Sequence, residues 1–340
     1  MPEKPLFWLP IDPAAWVNPR AGEIRIGESI QVLSNLDASA LPLGRFAIVG
    51  VPESIGPRAN LGQGGAELGF AAFLQQFLNM QDSGRIAIDQ VVLAGQVDCT
   101  DLQQQSLALD AGNAKDLKHL RELCAELDKR VAAVTEILFR QGYQVILIGG
   151  GHNNALPLLQ SLAITSEQFV GAVNLDPHAD FRPLEGRHSG NGFSYAFEKG
   201  FLKHYHVVAL HPAKNSRATL DQLDDAGATY TSVQDMVGMK MHRVLQTIQN
   251  QVITWRVPFG IELDVDSIMQ APASAFNYSG VSLADAMVFI RDLAKLRESR
   301  YLHLAEAAPA CHPMGIAAGN KAAGQILSEL VFTYIESHAE

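Results

Sequence analysis

Six side chains in this sequence have the types and spacing of a site for divalent cations: His152, Asp176, His178, Asp180, Asp264 and Asp266. They fall in three short segments, Gly149-Gly-Gly-His152-Asn153-Asn154, Asp176-Pro-His178-Ala-Asp180 and Glu262-Leu-Asp264-Val-Asp266. Carboxylate oxygens mixed with imidazole nitrogens, and no thiolate, suit Mn2+ or a related divalent ion better than a cysteine-rich structural zinc site. Four aspartates in one crevice would repel one another without cations. Two metal ions sharing bridging carboxylates would relieve that repulsion and could lower the pKa of a shared water enough to make a nucleophile near neutral pH. Taken singly, each segment has an ordinary reading. A loop histidine is commonly just hydrogen-bonded, D-x-H-x-D can be a solvated turn, and D-x-D can cap a helix. Their joint occurrence points to a metal centre.

Each segment sits at the end of an apolar run that reads as a strand. The predicted strands are Phe46 to Val51, Gln90 to Ala94, Gln144 to Ile148, Phe169 to Leu175, His206 to Leu210, Ala228 to Thr231, Phe259 to Leu263 and Tyr301 to Ala305. Most are apolar throughout rather than alternating, as in strands covered on both faces. Between them, 66–80, 114–141, 154–162, 216–225, 236–251 and 282–298 carry helical i, i+3, i+4 spacing, and a last helix starts near Gly319. Gly142 stands where a helix-terminating glycine belongs. The alternation predicts a three-layer α/β/α fold with a central, mostly parallel sheet of about eight strands. Ligands of such a sheet bind beyond the carboxyl ends of its strands, where the three segments lie. If the backbone stays extended, Asp176, His178 and Asp180 project to one face, and Asp264 and Asp266 repeat the device. Residues 41–340 read as one domain. Residues 1–40 fit the pattern poorly and read as an N-terminal arm or an edge hairpin.

With 340 residues and 47% of them hydrophobic, the chain can bury a sizeable core. A net charge of -10, without basic runs, argues against nucleic-acid or anionic-membrane partners and favours a small-molecule substrate. No apolar stretch of about 18 residues and no signal-peptide pattern is present, so a soluble, cytoplasmic protein is expected. Three cysteines, Cys99, Cys124 and Cys311, lack C-x-x-C spacing and fit reduced thiols.

The whole pattern resembles the ureohydrolases, the superfamily of arginases, agmatinases and formimidoylglutamases. The likeness runs from Gly50-Val-Pro and Gly65-Ala-Glu-Leu-Gly69 to Leu304-Ala-Glu306. It implies an arginase-like fold and two Mn2+ ions held by His152, Asp176, His178, Asp180, Asp264 and Asp266 around a bridging hydroxide. Asp180 stands at the family's proton-transfer position. Glu306 stands where the family hydrogen-bonds the guanidinium or amidinium group. Family members are commonly trimers or hexamers, so a homo-oligomer is among the expectations. The acidic run offers a second register, Glu262 with Asp264. The Asp264 and Asp266 pair is preferred because Ser267-Ile-Met continues the family motif. Glu262 then replaces a small residue, usually Ser, and brings an extra acid near the metals, while Asn153 stands where Glu is expected.

Other departures concern the substrate. Gly151 precedes the histidine where arginases carry Asp, and Phe193 replaces an arginase His that shuttles protons; both resemble formimidoylglutamases. Lys214 falls where arginases bind an ammonium with Asp, and a lysine would instead attract a carboxylate. Arg182 could grip a carboxylate with two parallel hydrogen bonds, unless either cation simply pairs with Glu185 or Asp224. Ser189 and Asn191, in His188-Ser-Gly-Asn-Gly-Phe193, join Arg182, Lys214 and Glu306 as expected substrate contacts, and His188 is a candidate proton carrier in place of Phe193. The expected reaction is hydrolysis of N-formimino-L-glutamate, a step of histidine degradation, to glutamate and formamide. A guanidino-acid hydrolase releasing urea, a one-zinc deacetylase-like enzyme and a non-catalytic binding protein are the alternatives.

Overall fold

The computed structural model describes residues 7–37, 40 and 42–338. All eight predicted strands form, and two short ones precede them. In chain order they are β1 (Trp8–Leu9), β2 (Gln31–Val32), β3 (Phe46–Gly50), β4 (Val91–Val97), β5 (Gln144–Ile148), β6 (Val170–Leu175), β7 (Leu202–Leu210), β8 (Thr229–Ser232), β9 (Phe259–Asp264) and β10 (Ser299–Ala305). They make one sheet in the order β1-β4-β3-β5-β10-β9-β6-β7-β8, with β2 also on β4. Only β1 is antiparallel to its neighbour. Among the described residues both N-terminal strands pair with β4 and not with each other.

Alternation along the strands feeds two cores. Ile48, Ile146, Leu263, Leu302 and Leu304 pack under helices Gly69–Phe77, Met241–Trp255, Leu283–Ala294 and Ile316–Ser337. Val49, Val145, Leu147, Val207 and Tyr301 pack on the opposite side, under Ala114–Arg140, Ala155–Ser166 and Gly192–Glu198. Each fully buried aliphatic side chain contributes roughly 1.5–3 kcal/mol of transfer free energy. That double burial explains why the central strands are apolar throughout. The helix ends differ from the expectations in physically readable ways. The 66–80 run starts as a 3-10 turn, Ala66–Leu68, before Gly69. Ser282 is an N-cap accepting from Asp285 N rather than the first helical residue. Gly142 has φ +87° and closes Ala114–Arg140. Among the described residues, no helix is long and apolar enough to cross a membrane.

For the site, strand order matters most. Sequence separates β5, β6, β9 and β10 widely, yet they lie side by side at the centre of the sheet. The chain builds outward on either side of them, to β4 beyond β3 and to β8 beyond β7, so their carboxyl ends open at the topological switch of the sheet.

Candidate metal centre

Beyond β5 the chain turns sharply. Gly149 and Gly150 have φ +94° and +67°, and a Cβ on Gly150 would lie 2.5 Å from Glu53 Oε1. Glu53 is fully buried and ties this turn to the loop after β3. Its Oε1 accepts from Gly151 N at 2.7 Å and Asn154 Nδ2 at 3.0 Å. Its Oε2 accepts from Ile55 N at 2.6 Å and Gly56 N at 3.1 Å. Burial pushes this carboxyl up, and Gly151 and Gly56 with the side chains of Asn153 and Asn154 pull it back toward the ionised form. His152 emerges from the turn fully buried, with its ring over the ends of β6 and β9.

Among the described residues three ligand clusters result; His152 with Glu262 and His303 lies below the crevice, and the other two share Asp176. In the first of these two, His152 Nδ1 lies 3.3 Å from Asp176 Oδ2, 3.1 Å from Asp180 Oδ2 and 3.6 Å from Asp264 Oδ2. In the second, His178 Nδ1 lies 3.4 Å from Asp176 Oδ1 and 3.1 Å from Asp266 Oδ2. All six residues singled out by spacing converge. The extended backbone expected for them does not form. β6 stops at Leu175, His178 N donates to Asp176 Oδ1 at 2.6 Å, and Asp180 takes φ +46°. Likewise β9 stops at Asp264, whose Oδ1 accepts from Asp266 N at 2.8 Å. A short aspartate captures the amide two residues on and curls the chain, so each tight turn gathers ligands that a straight strand would have spread apart.

The electrostatics are those of a site built around cations. Burial and the neighbouring Asp266 and Asp176 push Asp264 up to about 8, and burial with Asp176 pushes Asp180 up to about 6. For His178, burial works against the charged form, yet Asp266 and Asp176 hold it up to about 12. Asp176, despite burial, is held down to about 2 by His152 and His178. The raised carboxyls and the held-up imidazole both mark a place where the site favours added positive charge. His152 Nδ1 and Asp266 Oδ1 are buried without a hydrogen-bond partner, which two metal ions would remedy. The donor set therefore fits two oxygen-preferring divalent ions.

The clusters open into a crevice of about 300 Å3 lined by His178, Asp180, Asp264, Asp266, Glu306 and the buried Ser189, with the exposed Arg182 and Lys214 at its rim. Glu306 has φ +63° and accepts from His152 N at 3.0 Å. Burial, then Asp264, pushes its carboxyl well up. Arg182 Nη1 donates to Asn60 Oδ1 at 2.6 Å. Among the described residues neither Arg182 nor Lys214 has a carboxylate partner; Glu185 pairs instead with Arg121 at 3.3 Å.

Two expected site residues do not reach this crevice. His188 is buried behind it, with Nδ1 accepting from Gly190 N and Nε2 facing Glu185, and burial with nearby arginines lowers its pKa to about 3. Its ring shapes the turn and does not line the crevice. Asn191 is spent on the same loop. Its amide donates to Gly186 O and its oxygen accepts from His188 N and Arg187, which is itself anchored on Asp128 at 2.7 Å. Glu262 does not enter the crevice either; it faces His152 Nε2 at 3.3 Å from below. Sequence reasoning missed Glu53, Asn60, Tyr301 and His303, none of which lies in a motif. A larger cavity, about 630 Å3, lies outside helix Ala114–Arg140 around Leu117, Arg121 and Tyr195. It holds no converging ligand set, so the chemistry is assigned to the smaller crevice.

Comparison with known proteins agrees with this architecture. The sequence model of the arginase family matches residues 44–332. A formimidoylglutamase of Staphylococcus haemolyticus is 30% identical over 154 residues, 45% of this chain and 47% of the relative. One from Staphylococcus aureus is 25% identical over 206 residues, 60% and 59% of the two chains. The chain thus matches only about half the length of these curated relatives. In three dimensions it is similar to Bacillus subtilis formimidoylglutamase, with TM-score 0.74 and 12% identity over 94% of each chain. It is also similar to Trypanosoma cruzi formiminoglutamase with Mn2+, with TM-score 0.71 and 17% identity over 93% of this chain and 99% of the other.

Proposed function

The chain belongs to the arginase family, and from that premise we propose that it is a two-metal hydrolase of a linear amidine, with N-formimino-L-glutamate as substrate. The observation that carries the reading is the pair of ligand clusters sharing Asp176 at the floor of a crevice whose rim is cationic. His152, Asp176, Asp180 and Asp264 would hold one ion, and Asp176, His178 and Asp266 the other. Bound there, two divalent ions such as Mn2+ would supply an activated water and an electrophilic pull on the substrate.

The side chains define the rest. Glu306, at the crevice wall beside the ligands, faces a planar amidinium with a carboxylate and so sets the carbon over the metal floor. Asp180 both joins the first cluster and lines the crevice, so its carboxylate is placed to carry a proton to the departing nitrogen. Phe193 cannot share that role, because its phenyl ring has no ionisable proton; it is buried, stacked on Tyr205 at 4.4 Å and edge-on to His152 at 5.3 Å. At the rim, Arg182 and Lys214 attract carboxylates and would repel a free α-ammonium. A formimino-amino acid offers two carboxylates and no free α-amine, which matches that charge. Names of the family relatives support the same substrate class.

The test is turnover by purified Mn2+-loaded protein of formiminoglutamate, arginine, agmatine and guanidinobutyrate. Formamide and glutamate from the first alone are expected. Urea from a guanidino substrate, with no turnover of formiminoglutamate, would overturn the reading.

A further inference from the structure

Beneath the ligands lies a polar layer that the hydrolytic reading leaves unused. Strand register sets Asn174 on β6, Glu262 on β9 and His303 on β10 side by side, two residues before Asp176, Asp264 and Ala305. All three are fully buried. An acid in such surroundings is costly unless every oxygen is satisfied. Glu262 Oε1 accepts from Tyr301 Oη at 2.5 Å, and Oε2 accepts from His303 Nδ1 at 2.5 Å and faces His152 Nε2 at 3.3 Å. The carboxylate is therefore enclosed by one phenol and two imidazoles.

This arrangement decides which nitrogen of His152 carries a proton when a cation is bound. A carboxylate can only accept, so the ring turns an N–H toward Glu262 through Nε2. The lone pair is then on Nδ1, the atom that faces Asp176, Asp180 and Asp264 and has no hydrogen-bond partner. We infer that Glu262 is a positioning residue: it holds the Nε2–H of His152, fixes the tautomer and rotation of the ring, and keeps Nδ1 available to a divalent ion. His303 and Tyr301 hold Glu262 in turn. Among the described residues no such acid backs His178, the histidine of the second cluster, so Glu262 acts on one cation position and not the other. The inference rests on the two-metal reading and adds to it an asymmetry between the two positions.

The experiment compares wild type with Glu262→Leu, which removes the acceptor, and Glu262→Gln, whose amide oxygen can still face the imidazoles while its NH2 meets the Tyr301 oxygen. Mn2+ affinities at the two positions are measured by titration with paramagnetic resonance detection of free ion. Unfolding midpoints of the metal-free proteins are recorded alongside. In diamagnetic Zn2+-loaded, histidine-15N-labelled protein, the Nε2–H of His152 is followed by NMR and assigned with His152→Asn. Loss of a carboxylate behind a ligating histidine weakens binding roughly 10- to 100-fold. That loss is expected in the Leu variant at one position only, with the Nε2–H signal gone and the other position within about threefold of wild type. The Gln variant should fall between, with a near-wild-type midpoint, and it carries the test if the Leu variant does not fold. Unchanged affinities, or equal weakening at both positions that follows the drop in midpoint, would overturn the inference. Fewer than two ions on the wild type would instead overturn the two-metal reading itself.

Discussion

Replacing Glu53 by Gln keeps size and shape and removes only a charge and one acceptor, which makes it a clean probe of how the metal-binding turn is held. Every hydrogen-bond partner of Glu53 is a donor: Gly151 N and Asn154 Nδ2 at one oxygen, Ile55 N and Gly56 N at the other. An amide presents one oxygen and one NH2, so whichever way it turns, two donors face an NH2 in a fully buried site. Hydrogen bonds to a charged group are worth roughly 1.5–3 kcal/mol each, so losing two costs about 3–6 kcal/mol before relaxation. That is a large share of the roughly 5–15 kcal/mol that keeps a domain folded. Because Gly151 N directly precedes His152, the damage is also expected at the metal centre. Urea unfolding of the metal-free protein should show the loss, and the Gln variant should bind Mn2+ at the His152 position more weakly than wild type. A stability change below about 1 kcal/mol with unaltered metal binding would refute the argument.

Four further outcomes follow from the same geometry. In the metal-free site Asp180 is raised to about 6, Asp264 to about 8 and His178 to about 12, so these groups must be unprotonated to bind a cation. Apparent Mn2+ affinity should therefore rise with pH from about 6 and keep rising above 8, and calorimetry in buffers of different ionisation enthalpy should show proton release near pH 7; a buffer-independent heat would contradict this. Gly150→Ala combines φ +67° with a Cβ 2.5 Å from Glu53 Oε1 and 2.6 Å from Asn154 Nδ2, and should cost roughly 2–4 kcal/mol in urea unfolding. Gly84→Ala, at φ +70° with nothing within 4 Å of the new Cβ, should cost only the backbone strain of roughly 1–2 kcal/mol. Arg182→Leu should raise KM for formiminoglutamate about tenfold while kcat changes little, because the guanidinium sits at the crevice rim and not at the reacting carbon. A fall in kcat at constant KM would place Arg182 elsewhere in the mechanism.

Much of this was legible in the sequence because the strong signals are local. Apolar runs such as Val145 to Ile148 mark the strands, and polar residues at their ends mark the crevice. What sequence spacing misjudged was conformation: the i, i+2 aspartates meet by curling through their own side chains, not by sharing one face of a strand. β1 and β2 are two residues each, too short to carry a period. The helices Ile55–Ala59, Thr100–Leu107 and Gly192–Glu198 were missed for a related reason: they are brief, and the last is rich in aromatic residues. Glu262 shows the deeper limit. By sequence it looked like an acid intruding on the metals, and only the register of β9 against β10 shows it facing His152, His303 and Tyr301 from beneath. Glu53 and Asn60 act across long stretches of chain, on Gly151 and Arg182; Gly50-Val-Pro directly precedes Glu53, but local spacing does not reveal either distant partner.

The most direct measurement is anomalous diffraction at the manganese edge from crystals of the Mn2+-loaded protein. Two peaks are expected, one among His152, Asp176, Asp180 and Asp264 and the other among Asp176, His178 and Asp266, with Asp176 touching both. A single peak, or peaks away from these carboxylates, would contradict the two-metal centre.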